Sequence, residues 1–200
     1  MQARGRRTRA ELIQGMRDAI QEKGVARSSI NDVLEATGVK KGSLYFHFAD
    51  KDELALAALE QAGEDFLDFV AESLKGNTPC ERLDAFLEEA VSYHRQAGFV
   101  GGCIFGNTTL EMADSDPRYS ALLERVFDDW VGKLAEVIAA GQETGDIRGD
   151  IPPAALGRHA VAAIEGGIMQ ARLQKSEQPL RESLETLMAL AQADGGSGEP

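Results

Sequence analysis

The chain has 200 residues, 43% hydrophobic and 27% charged, with 33 Asp and Glu against 21 Lys and Arg, a formal charge of −12 and a pI near 4.7. That length suits one small domain plus a larger one, and so acidic a balance excludes a protein that holds polyanions with its whole surface. No apolar run approaches the roughly 18 residues of a membrane span, the arginine-rich start lacks the apolar segment of a signal peptide, and Cys80, Cys103, His47, His94 and His159 form neither a disulfide framework nor a metal-ligand spacing, so a cytoplasmic protein with no cofactor and no membrane partner is expected.

In chain order, Arg4, Arg6, Arg7 and Arg9 precede Thr8-x-x-Glu11, which has the form of a capping box, and Leu12, Ile13, Met16 and Ile20 continue as one helical stripe. A first helix is predicted from about Thr8, closed by Gly24 with Val25 packing back, and the arginines before it read either as a basic arm reaching DNA or as a solvated terminus. Ser28 or Ser29 then caps a short helix, with Asp32 completing a box after Ser29 and Ile30, Val33 and Leu34 as its apolar face. Thr37-Gly38-Val39 supplies a turn in which Gly38 takes a left-handed conformation at low cost. The next helix, from about Lys40 to Phe46, carries Lys40, Lys41 and Gly42 at its start and Ser43, Tyr45 and His47 behind them. Cations and hydroxyls on the second helix of such a pair hold phosphates and reach base edges. Asp50 caps a further helix over Glu53, which places Lys51 in its first turn. Residues 1–52 hold ten Lys or Arg against seven Asp or Glu, and residues 53–200 hold eleven against twenty-six, so a head of charge +3 sits on a body of charge −15.

This segment resembles the TetR family of bacterial one-component repressors, whose signature runs TT…IA…AGVSKGTLYHYF…K. It stands here as Ser28-Ser29, Val33-Leu34, Thr37-Gly38-Val39, Lys40-Lys41-Gly42-Ser43-Leu44-Tyr45, Phe48 and Lys51. Carried over position by position, the resemblance implies DNA contacts from Ser29, Asn31, Lys40, Lys41, Gly42, Ser43, Tyr45, His47 and Lys51, with Leu44 and Phe48 in the core of the small domain. Lys40 departs from the serine common there and adds a cation for a phosphate or a guanine edge.

From Asp50 onward the pattern is helical throughout. A helix from Lys51 to about Lys75, rising about 1.5 Å per residue, would reach from the head into the body. Thr78-Pro79-Cys80-Glu81 opens a helix that runs to Gly98, a short helix spans about Cys103 to Ala113, and Asp116-Pro117 opens one that runs toward Gly141. Residues 141–152 read as a turn-rich connector, Pro153 to about Gln174 and Pro179 to about Gln192 as two closing helices, and 193–200 as a disordered tail. The predicted fold is all-α, with a three-helix helix-turn-helix domain over 1–50 and a helical effector-binding and dimerisation domain over 51–192. Small residues on the first closing helix and Leu180, Leu184, Leu187 and Met188 on the second suggest a partner surface, and the resemblance implies a homodimer through helices 153–174 and 179–192 on double-stranded operator DNA.

Gly101-Gly102-Cys103-Ile104-Phe105-Gly106-Asn107 is similar to a GC[LI]xGN stretch in a subset of TetR-like regulators, some of which sense electrophiles through a cysteine. Cys103 at a helix start would gain thiolate character, although free cysteines are more often packed. Candidate contacts for a small-molecule effector are Phe99, Cys103, Phe105, Asn107, Met112, Trp130, Glu165, Met169 and Arg172. The reading is a transcriptional regulator rather than an enzyme, a repressor that leaves DNA when an effector binds. Redox or electrophile sensing through Cys103 is the alternative, and a helical adaptor a further one.

Overall fold

A computed structural model describes residues 2–193, with the side chains of residues 2 and 3 left aside. The tail expected over 193–200 lies, beyond Ala193, outside the described residues. Nine helices follow one another among the described residues: α1 (Gln2–Lys23), α2 (Ile30–Thr37), α3 (Lys41–His47), α4 (Lys51–Ser73), α5 (Pro79–Gln96), α6 (Ile104–Met112), α7 (Pro117–Thr144), α8 (Pro153–Gln174) and α9 (Gln178–Ala191). Extended pairing there is limited to an isolated antiparallel bridge between Ile147 and Gln192.

Local chemistry accounts for most boundaries. The Ser29 side chain accepts from the Asp32 N–H while the Asp32 carboxylate accepts from the Ser29 N–H at 2.8 Å, so the box that starts α2 satisfies two amides a helix cannot use. Gly38, at φ 68, ends that helix and donates to the Leu34 carbonyl. Thr78 and Glu81 repeat the box at the start of α5, with Pro79 at a position whose missing N–H costs nothing. Asp50 Oδ1 accepts from the Glu53 N–H at 2.8 Å and Glu53 reaches back to the Ala49 N–H at 2.6 Å, which starts α4 where expected.

Two boundaries differ from expectation. α1 begins at Gln2, so Thr8 lies inside the helix rather than capping it, and the arginines are a helical turn rather than an arm. Arginine is a good helix former, the Arg7 guanidinium holds Glu11 one turn on at 2.9 Å, and Arg9 lies 5.3 Å from the centre of the Phe48 ring, a cation on an aromatic face. α7 runs through Gly141 to Thr144. Gly141 is a point of close approach, since a Cβ there would lie 2.5 Å from Ile147 Cδ1, and the turn falls instead at Gly145, at φ 81.

The chain forms two compact units, Met1–Phe66 with Cys103–Val126, and Leu67–Gly102 with Phe127–Pro200, whose boundaries fall within α4 and α7 and before α6. In the first, α1 packs on α2 and α3 around Leu12, Met16, Val33, Leu44 and Phe48, all at most 2% exposed. Tyr119, fully buried, donates its hydroxyl to Asp52 at 3.0 Å and so ties the start of α7 to α4. Burial and the Asp52 carboxylate push its phenol well above the ordinary value. In the second unit α8 and α9 pack along their length, with Ile164, Ile168, Leu180, Leu184 and Leu187 in the core and Trp130 edge-on to Phe86. No helix among the described residues is long and apolar enough to cross a membrane.

Candidate nucleic-acid interface

α3 divides its residues cleanly between core and solvent. Leu44 and Phe48, four apart and 0% and 2% exposed, fasten it to the head. Everything else that reaches outward from its first two turns is polar, cationic or aromatic. Lys40 precedes the helix and is exposed, as are Lys41, Gly42 and Ser43 in the first turn. Lys41 Nζ lies 5.9 Å from the centre of the Tyr45 ring, and Tyr45 is 48% exposed. His47 is half-buried against Phe46 and Phe48. Asn31 is exposed at the start of α2, whereas the Ser29 hydroxyl is engaged, donating to Asp32 Oδ2 at 2.7 Å. Lys51 donates to the Val25 carbonyl at 3.0 Å, which uses one of three ammonium hydrogens.

One surface residue is new. Phe46 is 83% exposed beside His47, its ring edge-on at 5.1 Å. Sequence periodicity could not separate it from Phe48, because α3 is too short for a stripe to be read. The scaffold beneath this surface is anchored electrostatically: Lys23 Nζ stands 2.8 Å from Asp32, and that contact, with the Ser29 donors, lowers the Asp32 carboxyl from its ordinary 3.8 to about 2. The α2 cap is therefore ionised throughout the physiological range.

The effector candidates are distributed over both units. Cys103 stands at the N-cap of α6, half-buried, its sulfur accepting the Gly106 N–H at 3.5 Å. Phe105 is buried and tilted against Phe66 at 5.4 Å, and Asn107 and Met112 are half-buried on the same helix. In the second unit Phe99 is buried at φ 55, a left-handed conformation uncommon for a bulky residue, and its carbonyl accepts from Lys175 at 3.1 Å. Trp130 is 2% exposed and stacked on Phe127, Glu165 is half-buried, and Met169 and Arg172 are exposed on α8. A groove of about 330 Å³ between α5 and α9, lined by Leu87, Val91, Leu184 and Met188 with Asp84 and Glu88 at its edge, involves none of these residues and was not legible in the sequence. Among the described residues no cluster of three or more His, Cys, Asp or Glu is placed to hold a metal ion.

A helix-turn-helix with an exposed, cationic second helix, joined to a larger all-helical body, defines a class of protein: a one-component transcriptional regulator that reads DNA with its head. Residues 12–58 match the family described as bacterial regulatory proteins, tetR family, and residues 79–187 match the tetracyclin repressor-like C-terminal domain. The chain belongs to the TetR family of transcriptional regulators. It is similar to the transcriptional regulator AcuR of Cereibacter sphaeroides, 30% identical over 84% of this chain and 78% of that protein. It is also similar to the HTH-type transcriptional repressor DhaR of Mycobacterium sp. (strain GP1), 27% identical over 88% of each. Among solved structures, a TetR regulator from Chloroflexus aurantiacus superposes with a TM-score of 0.85 at 30% identity, covering 94% of this chain and 95% of that one. A regulatory protein TetR from Rhodobacter sphaeroides gives 0.85 at 27% identity, covering 91% and 97%.

Proposed function

We propose that this regulator is a repressor that binds a palindromic operator as a homodimer and leaves it when a small-molecule effector binds, acting in the cytoplasm where that DNA lies. The observation that carries the DNA contact is the exposed face of α3: Lys40, Lys41, Ser43 and Tyr45 stand outward from a helix fastened by Leu44 and Phe48. Lysines and hydroxyls in this arrangement hold phosphates, and Gly42, with no atom within 4 Å of where a Cβ would be, lets backbone approach closely. Two heads on a twofold axis read half-sites spaced by helical turns. A second outward face suits that axis: Met169 and Leu173 on α8 and Leu190 on α9 are 64%, 82% and 53% exposed, beside small Ala162 and Gly166. An effector releases DNA only by binding the released conformation more tightly than the DNA-competent one. Sensing through Cys103 is the less favoured reading, because its side chain is half-buried and free cysteines so placed more often pack than react.

The test is a titration with duplexes that the wild-type protein selects from a random pool. Lys41→Ala is expected to weaken binding and lower the salt slope by about one, one counterion fewer being released, and Tyr45→Phe to weaken it by about 1 kcal/mol through the lost hydroxyl bond. Wild-type affinity and slope in both variants would remove α3 from the interface.

A further inference from the structure

The turn between α1 and α2 is held from outside the helix-turn-helix. Gly24 ends α1 at φ 81, its N–H donating to the Ile20 carbonyl at 2.9 Å. The next two amides point at one carboxylate: the Val25 N–H donates to Glu111 Oε2 and the Ala26 N–H to Glu111 Oε1, each at 2.8 Å. Successive amides after a left-handed residue form an anion-binding concavity, and its occupant here is a side chain of α6, 85 and 86 positions away in sequence. The carbonyl of the same Val25 accepts from Lys51 Nζ of α4 at 3.0 Å. Val25 is thus gripped at its N–H by an anion and at its C=O by a cation, while its side chain is 1% exposed. A separate observation agrees. A Cβ on residue 24 would lie 2.7 Å from Glu111 Oε2, so the glycine supplies the space the carboxylate occupies as well as the backbone conformation.

We infer that Glu111 is a positioning residue for DNA reading: by fixing the α1–α2 turn it sets how α2, and with it α3, leaves α1, so that α6 governs operator affinity without touching DNA. This rests on the reading of α2 and α3 as the DNA-contacting pair. The turn is short, and the Ser29 cap of α2 comes three residues after Ala26, so a displaced turn moves the helix it feeds. Lys51, which the sequence assigns to phosphate, then has a second partner in the turn itself and joins the two functions.

Full-length Glu111→Ala and Glu111→Gln are compared with wild type by site-resolved hydrogen exchange and by titration of the duplexes that wild type selects from a random pool. In Glu111→Ala, exchange at the Val25 and Ala26 amides is expected to rise roughly tenfold while the core amides of Leu54 and Leu59 keep their wild-type protection, and the operator Kd to rise roughly tenfold at an unchanged salt slope, since no phosphate contact is lost. Glu111→Gln, which keeps one acceptor oxygen, falls between. Faster exchange at Val25 and Ala26 with an unchanged Kd overturns the inference, as does a loss of protection spread through the core, which would make Glu111 a general support of the fold. A changed salt slope also overturns it, by placing Glu111 in direct electrostatic reach of DNA. If wild type itself selects no duplex, the DNA-binding reading fails and the inference with it, an outcome recognised without any variant.

Discussion

Leu173 measures whether the outer face of α8 and α9 is covered by a second copy. Its side chain is 82% exposed, and it lies on the same helix face as Met169. Burying a leucine fully is worth about 1.5–3 kcal/mol, and a twofold axis buries the residue twice. Leu173→Ala, which removes most of that side chain, should therefore weaken the dimer by roughly 2–4 kcal/mol, a rise of about 30- to 700-fold in its Kd. The protomer should be nearly indifferent, because so exposed a side chain contributes little inside its own chain. Leu184→Ala is the contrasting perturbation. Leu184 is 4% exposed and faces α5, so its truncation should cost protomer stability by about 2–5 kcal/mol through lost burial and the cavity left behind. Sedimentation equilibrium over a wide concentration range gives the dimer Kd, and denaturant titration gives the stability. An unchanged Kd in Leu173→Ala refutes the assignment of this face to the interface.

Acid should loosen the head through Asp32, whose carboxyl is lowered to about 2 in the fold by Lys23 and the Ser29 donors, against 3.8 ordinarily. Its contribution is complete above the higher of those values and is lost as pH falls from there toward about 2, so Asp32→Asn should remove this part of the acid dependence of α1–α3 melting, and a wild-type profile in that variant would show that Lys23 and Ser29 do not control it. Cys80 is pushed up by burial and by the nearby Asp146 and Asp84, which keeps it protonated at neutral pH, so its alkylation by iodoacetamide should be slower than that of a free cysteine peptide and should accelerate as pH rises above the ordinary thiol range. Mass-resolved labelling kinetics check both, and a rate equal to the peptide's would contradict the stated environment.

The sequence by itself determined the elements whose causes are local. Ser29 with Asp32, Thr78 with Glu81 and Asp50 with Glu53 are each three residues apart, within reach of one helical turn, so the pattern of residue types was enough to place the starts of α2, α5 and α4. Gly38 could be assigned its turn because the left-handed conformation selects glycine wherever it occurs. The cations of α3 were legible as residue types at the start of one short helix, whereas its aromatics could not be sorted, Phe46 facing out and Phe48 in. Contacts between distant segments were decided only by the tertiary structure. Helical periodicity marked α8 and α9 as apolar but could not say that Leu184 and Leu187 face inward while Leu173 and Leu190 face out, since each helix carries apolar residues on more than one side. Gly141 read as a stop until Ile147 was seen packed against it, and the arginines of α1 read as either an arm or a solvated terminus until Arg9 was seen over Phe48. Glu111 gave no sign at all, because a carboxylate on α6 that grips the amides of Val25 and Ala26 is created by folding, which brings together residues that no local preference links.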